Sequence, residues 1–327
     1  MKCGEIFQKR YILPPKNFKI TNYPRDPVAV FNPGAVEIDG IVHVFPRVIF
    51  DYYKYTSAIG HFTMKADDIL NGTIPEILEI ELIIWPKTKE EFLGCEDPRI
   101  FQDGENLWIL YTAKGYRGRG EGERTDFLAL AKLDFDLNVS EKHFLKVEYK
   151  GEIFYPKSNK DSAILRISGN KATILTRPDF GGRLSGWRGV LDLEDMVIRD
   201  LEEVLPPKEG ELKRGWSTNA VEIDGRYLVG WHAVIDEDLS YRNGFALVDE
   251  NGNILDTTGY VLCTEGLIEE LGDRAMVIFG DGLLILKDKV VWIGGVSDYA
   301  VGVFVADLED LMDSFVGVKG VEDRSLS

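Results

Sequence analysis

The chain interrupts its apolar runs with tight hairpin signals at a nearly constant interval, and this regularity limits the possible folds more than any other feature. The stretches AVEIDGIVHVFPRV (35–48), RIFQDGENLWILYT (99–112), AILRISGNKATILTRP (163–178), AVEIDGRYLVGWHAV (220–234) and MVIFGDGLLILKDKVVWIGGV (276–296) each read as strand, turn, strand. Their Asp-Gly, Gly-Asn and Asp-Lys turns favour the positive-φ geometry of short hairpins. The turns fall near residues 40, 104, 169, 225 and 288, so the period is close to 60 residues. After each hairpin comes a loop and another β-like run: YTSAIGHF, DFLALAKL, GWRGVLDL, NGFALVD and VGVFVADL. Five units of three or four antiparallel strands predict an all-β chain folded as a five-bladed β-propeller. The prediction is a single domain over residues 1–327 with a short N-terminal extension. A β-sandwich or two stacked β domains would not naturally produce five evenly spaced hairpins. Helical patterning is scarce and is suggested only by short pieces such as DLEDLMDSF (307–315).

Composition sets limits on partners. Hydrophobic residues at 44% and aromatics at 11% mark a folded chain, and 327 residues can bury a substantial core. The net charge of -17 repels nucleic acid and anionic membranes. An anionic ligand would therefore need a local cluster of bases. The cysteines, Cys3, Cys95 and Cys263, are odd in number and widely spaced, which argues against a disulfide framework or a structural zinc site. No stretch approaches the roughly 20 apolar residues of a membrane span, and the N-terminus has no signal-like apolar run. The expected location is cytoplasmic. A homo-oligomer is compatible with all of this.

In a propeller the innermost strands line a central channel, and their ends at one face form a shared pocket. Residues at the same phase of each repeat can therefore be compared. Ahead of the first hairpin strands stand Asn32-Pro33-Gly34, Glu96-Asp97-Pro98-Arg99, Asn159-Lys160-Asp161 and Ser217-Thr218-Asn219. At the far ends of the returning strands stand Arg47, Lys114, Arg177, His232 and Asp298. The candidate constellation is Asn32, Arg47, Asp97, Arg99, Asn159, Lys160, Arg177, His232 and Asp298. Any one Arg or Lys at a strand end is usually a solvated rim residue, and a lone His is usually a packed one. The shared phase in successive repeats is what points to a ligand site.

The chemistry of this set can be bounded. Scattered carboxylates interleaved with Lys and Arg would repel a metal cation. No GxSxG elbow is present. The Gly-rich segments GYRGRGEGER (115–124) and FGGRLSG (180–186) match neither phosphate-loop nor dinucleotide fingerprints, and read as a mobile loop beside the pocket and an ordinary loop. An acid, Asp97, among cations suits an oxyanion such as phosphate, which Arg grips bidentately and Lys as a point charge. Tyr53, Trp187, Trp216, Tyr241 and Tyr299 could stack on sugar rings or fill core. Glu96 reads either as a partner ordering Arg99 or as a solvated turn carboxylate. Pro98 reads as the start of a strand, where a ladder donor can be missing.

The motifs FNPGA, GCEDPRI, NKDSAIL, ILTRP, GWHAV, SYRNGFALVD and SDYAVGVFVADLEDL occur in an order and spacing that resembles glycoside hydrolase family 130. This is the family of β-mannoside phosphorylases and related mannosidases, and the resemblance implies a five-bladed propeller. It implies that Asp97 is the single catalytic acid, protonating the glycosidic oxygen through a sugar hydroxyl. It places Asn32, Arg47 and Asp298 on the mannose at the scissile end and Tyr241 near the leaving sugar. It places Asn159, Lys160, Arg177 and His232 on phosphate; Glu96 and Arg99, by their position beside Asp97, read as supports behind the acid. The implied reaction is an inverting phosphorolysis giving mannose 1-phosphate, with inorganic phosphate as co-substrate and no cofactor. Three departures stand out: GWHAV in place of the more usual YHG-like segment, Ser158 where another arginine would suit phosphate, and Asn243 where some members offer a tyrosine to phosphate. The alternatives are an inverting β-mannosidase of the same fold and a non-catalytic sugar-binding propeller. A protein-interaction propeller lacks its WD-type signatures here.

Overall fold

The structure, a computed structural model, describes residues 3–315 and 317, apart from 105 and 183. Each of the five expected hairpins is present as an antiparallel pair, and each opens a separate sheet. The first strands are Ala29–Ile38, Gly94–Asp103, Asn159–Ser168, Glu211–Ile223 and Ile278–Leu286. These five meet one another around the axis, and the remaining strands of each sheet step outward, so the sheets are the blades of a five-bladed propeller. The short helix Leu308–Asp313 falls within the stretch expected to be helical. No helix among the described residues is long and apolar enough to cross a membrane.

The core lies between blades rather than within them, because each sheet buries both faces. One apolar cluster joins Val30 and Val44 of the first blade to Ile293 and Val303 of the fifth. Others join the first blade to the second through Phe45 and Ile109, and the second to the third through Leu130 and Ile174. The third meets the fourth through Leu175 and Trp231, and the fourth meets the fifth through Phe245 and Trp292. Burial of these side chains is the main drive for the sheets to stack.

The N-terminus closes the ring. Strand Lys9–Leu13 is the outermost strand of the fifth blade and pairs antiparallel with Ala300–Asp307. The cysteine reading needs correction at this point. Cys3 and Cys263 form a disulfide across a sequence separation of 260 residues. Wide spacing carried no information, because ring closure brings the first residues of the chain against the connection between the fourth and fifth blades. Arg10 reinforces the same seam through Glu269 at 2.5 Å, Glu5 at 2.6 Å and the carbonyl of Cys263 at 3.2 Å.

Every innermost strand carries a β-bulge at the same place. The register slips between Phe31 and Gly34, Glu96 and Arg99, Lys160 and Ala163, Trp216 and Ala220, and Gly280 and Gly282. The residues thrown out of register are Asn32, Asp97, Asp161, Ser217 to Asn219, and Asp281. Asn32, Asp97 and Asp161 adopt φ of 44°, 53° and 55°. Asn and Asp tolerate this left-handed region better than other side chains, which explains their placement. Pro98 therefore does not begin a strand as expected. It lies inside one, at a bulge where no ladder donor is required. Gly34 is needed for close approach, since a Cβ there would lie 2.3 Å from the carbonyl of Pro98 in the next blade.

The Gly-rich segment 115–124 is also more regular than expected. Residues up to Arg117 and from Glu123 extend a long hairpin, leaving only its turn outside the strands.

The seam makes a direct prediction. Cys263→Ser lowers the unfolding free energy by about 2–4 kcal/mol relative to the oxidised protein. Denaturant titration with and without a dithiol reductant checks it: the wild type should fall to the variant's value and the variant should not move. A wild type indifferent to reductant would mean that the bond adds nothing to stability.

Candidate active site

The bulges and the returning strand ends converge on a pocket of about 240 Å³ at one end of the channel. Its walls include Asn32, Arg47, Asp97, Lys160, Arg177, His232, Tyr241 and Asp298, eight of the residues singled out from the sequence. Glu96 lines it as well. Six cationic side chains, Arg47, Lys114, Lys160, Arg177, Lys213 and Arg274, face four acids, Glu96, Asp97, Asp161 and Asp298. The pocket is thus locally basic in a chain of net charge -17. That is the condition an anionic ligand requires.

Asp97 is held on one oxygen. Asn32 Nδ2 donates to its Oδ1 at 2.9 Å, and Arg47 Nη1 lies 3.5 Å from the same atom. Arg47 also donates to Glu96 Oε1 at 2.7 Å, and Lys114 approaches that carboxylate at 3.2 Å. Glu96 therefore anchors Arg47 and Lys114. It does not order Arg99, the role considered for it from the sequence.

Arg99 lies below the pocket, on the axis. Its Nη1 donates to the carbonyl of Asp97 at 2.7 Å and its Nε to the carbonyl of Ser217 at 2.7 Å. Its Nη2 reaches Asp281 at 2.6 Å and Asp161 at 3.6 Å. Asn159 is buried behind the wall and does not line the pocket. Its Oδ1 accepts from Thr176 at 2.7 Å, while its Nδ2 is buried without a partner. Ser158 and Asn243, two of the departures from the family pattern, bond within the protein. Ser158 donates to Asp126 at 3.1 Å, and Asn243 donates to the carbonyl of Ile278 at 3.0 Å.

The basic wall is built by carboxylates behind it. Arg177 Nε donates to Asp161 at 2.6 Å, and Lys160 pairs with Asp126 at 2.9 Å. Burial alone would raise Asp161, but the guanidinium groups of Arg177 and Arg99 prevail and hold its carboxyl below the usual range. Burial pushes the His232 imidazole well down, so it is neutral. His232 is oriented by Ser217 at 3.2 Å and stacks on Tyr241, with ring centroids 5.5 Å apart.

Lys213, Arg274 and Tyr55 were not found from the sequence. Lys213 precedes the bulge of the fourth blade, and its Nζ donates to the Tyr241 hydroxyl at 2.7 Å. Burial, reinforced by Arg177, lowers its pKa to about 7. Arg274 arrives on the connection into the fifth blade and lies over the Tyr241 ring at 5.1 Å. Tyr55 comes from the loop after the first hairpin and hydrogen bonds to Asp273 on that same connection. For Lys213 equal phase gave no signal, since it stands upstream of the bulge of its strand whereas Lys160 abuts its own. For Arg274 and Tyr55 there was none either, because non-repeating loops deliver them.

The carboxyl of Asp298 is pushed up to about 6 by burial and by Asp97, against the pull of Arg47. Among the aromatics considered, Trp216 is core and Trp187 packs against Phe180, whereas Tyr53 and Tyr299 are exposed. The arrangement can hold an oxyanion against Lys160, Arg177 and Lys213 while an acid on the opposite wall delivers a proton.

Comparison with known proteins agrees with this picture. The family model described as beta-1,4-mannooligosaccharide phosphorylase matches residues 4–316. A 1,2-beta-oligomannan phosphorylase from Thermoanaerobacter sp. (strain X514) is 25% identical over 308 residues, 86% of this chain and 91% of the relative. Among solved structures, the beta-1,2-mannobiose phosphorylase from Listeria innocua superposes with a TM-score of 0.72 at 18% identity, covering 94% of this chain and 98% of that one. A mannose phosphorylase from Leishmania mexicana, in complex with phosphate ion, gives a TM-score of 0.65 at 15% identity, covering 96% and 92%. At these identities the solved structures establish the shared fold.

Lys213 generates a pH prediction. A bound dianion stabilises the charged ammonium, so affinity is full below the group's pKa of about 7 and falls as pH rises above it. Sulfate, doubly charged throughout, should bind more weakly by up to about tenfold per unit between pH 7 and 9. Lys213→Arg should flatten that profile, because its guanidinium stays charged. A flat profile for the wild type would show that no such proton is linked to binding.

Proposed function

The chain belongs to glycoside hydrolase family 130, and from that premise we propose that it is an inverting phosphorylase of β-mannosides. The observation that carries this reading is the pairing of one loosely held acid with a basic wall across a small pocket. Asn32, Arg47 and Asp298 hold the mannosyl unit at the scissile bond. Tyr241 stands at the leaving-sugar side. Phosphate lies against Lys160, Arg177 and Lys213, with His232 presenting a neutral imidazole.

In the reaction a phosphate oxygen attacks the anomeric carbon from the face opposite the leaving group. The bond from that carbon to the glycosidic oxygen breaks, and the oxygen takes a proton originating on Asp97, relayed by a sugar hydroxyl. The products are α-mannose 1-phosphate and the shortened acceptor. The cations bind the nucleophile and offset the negative charge it brings towards Asp97. Asn32 and Arg47 fix one carboxyl oxygen of Asp97, leaving the other to face the substrate.

Hydrolysis by inversion would need a second carboxylate free to activate water. Two acids of this pocket are already committed to cations. Glu96 is committed to Arg47 and Lys114, and Asp161 to Arg177. Asp298, pushed up to about 6, is the one acid of the lining with the basicity such a role needs, so it is the basic wall opposite, which a hydrolase does not require, that favours phosphorolysis.

Three outcomes are expected. Incubation with β-mannobiose should release mannose 1-phosphate only when phosphate is present; free mannose regardless of phosphate would establish a hydrolase. Asp97→Asn should lower kcat by at least about a hundredfold with the melting temperature nearly unchanged. Arg177→Ala should raise the KM for phosphate far more than that for the mannoside, and equal effects on both would remove its assigned role.

A further inference from the structure

We infer that Arg10, in the outermost strand of the fifth blade, is a positioning residue for the active pocket: with the Cys3–Cys263 bond it holds in place the connection that delivers Arg274. This inference rests on the reading of the pocket as an anion site and extends its machinery to residues that do not touch the ligand. The connection runs from Cys263 into the fifth blade, and it supplies Arg274 and Val277 to the pocket wall. Its Asp273 hydrogen bonds to the hydroxyl of Tyr55, another wall residue.

The connection has little of its own to hold it. From Glu265 to Ala275 every residue except Glu269 is exposed, including Leu267, Ile268 and Leu271 on and beside its single helical turn, Leu267–Glu270. Apolar burial, which fixes the blades, is therefore missing here, and polar ties take its place. They come from the N-terminal segment. Arg10 pairs with the buried carboxylate of Glu269 at 2.5 Å and donates to the carbonyl of Cys263 at 3.2 Å. Glu5 lies 2.6 Å from the same guanidinium and accepts from the amide of Cys263 at 3.2 Å. The disulfide fixes Cys263 a third time. The segment is itself anchored, since Gly4 and Ile6 donate to the carbonyls of Tyr260 and Val261 at 2.8 and 3.2 Å and Lys9–Leu13 is part of the sheet.

From Glu269 the contacts run into the pocket. The carboxylate that takes Arg10 also accepts from the amide of Glu265 at 2.8 Å, closing the turn. The carbonyl of Glu269 accepts from Ser297 Oγ at 2.8 Å, and the carbonyl of Ser297 accepts from the amide of Arg274 at 3.1 Å. Ser297 directly precedes Asp298, and the two hold φ of 53° and 52°. Such backbone persists only where its surroundings fix it. Gly272 packs on the same serine, for a Cβ there would lie 2.3 Å from the serine Cβ. Without Arg10 the Glu269 carboxylate would be buried without its cation, so the turn must swing it out to water. That movement draws the Glu269 carbonyl away from Ser297 and frees the stretch that carries Arg274.

The test titrates sulfate by calorimetry into wild type, Arg10→Met, Arg10→Lys, Arg274→Met and the double variant Arg10→Met with Arg274→Met. Arg274→Met should weaken sulfate about fivefold, and Arg10→Met should do so by a similar factor from outside the pocket. The double variant should bind within about twofold of Arg274→Met alone, because both changes remove the same guanidinium from the wall. Arg10→Lys keeps a cation for Glu269 and should recover part of the loss. A lower melting temperature with wild-type affinity, or losses that multiply in the double variant, would overturn the inference and leave Arg10 a structural residue only. Reduction of the disulfide gives a second measurement on the wild type, decisive if Arg10→Met does not fold. A dithiol passes two electrons and two protons to Cys3 and Cys263 and is itself oxidised to a disulfide. Sulfate should then bind at least about twofold more weakly, while Cys3→Ser should not respond to the reductant. Unchanged affinity in the reduced wild type would overturn the inference alone. A wild type that binds no sulfate would overturn the reading of the pocket as an anion site, and this inference with it.

Discussion

One guanidinium on the axis ties the ring together. Arg99 belongs to the second blade, yet it bonds to the carbonyl of Ser217 in the fourth and pairs with Asp281 in the fifth and Asp161 in the third. It also holds the carbonyl of Asp97, the residue proposed to supply the proton. Burial pushes Asp281 well above the ordinary carboxylate range despite this partner. A buried ion cluster of this kind is a poor source of net stability, because desolvation offsets the attraction. Its contribution is positional, since the blades must meet in one arrangement for the fork of Arg99 to be filled. The bulges make that possible, because they turn Asp97, Asp161 and Asp281 inward at the same level.

The same bulges organise the pocket above. Each one interrupts the ladder, and those of the first three blades place an Asn or Asp in a left-handed conformation. The acids produced in this way do two different things. Asp161 holds Arg177 in the basic wall, just as Asp126, from the third strand of the second blade, holds Lys160. Asp97 faces the cavity with one oxygen fixed. An acidic protein thereby builds a basic pocket, since the carboxylates that orient the cations are largely spent on them. Lys213 differs, because its nearest partner is the neutral hydroxyl of Tyr241. Its proton affinity is correspondingly low, and an incoming anion has the most to gain there.

Much of this was legible in the chain. The hairpin turns are local signals, so five of them at a steady interval were enough to count the blades. The comparison of equivalent positions then found most of the pocket, because a repeating fold maps equal phase to equal height. It failed where phase is not the deciding variable. Asn159 has the right phase but turns behind the wall to Thr176. Glu96 looked like a partner for Arg99, being three residues away, but it faces the first blade and takes Arg47. Pro98 looked like a strand start because a bulge leaves little trace in hydrophobic periodicity. Cys3 and Cys263 looked unrelated because sequence distance says nothing about contact once a ring has closed.

The sequence alone therefore determined the number of blades, the positions of their inner hairpins and the polar character of the channel mouth, all of which follow from contacts between near neighbours. The tertiary structure decided which of those polar groups meet. Asn32 reaches Asp97 and Arg99 reaches Asp281 only after distant blades are brought side by side. The same holds for Arg274 and Tyr55, carried by connections that do not repeat. Local patterning sets the elements, but closure of the ring sets the distances on which the chemistry depends.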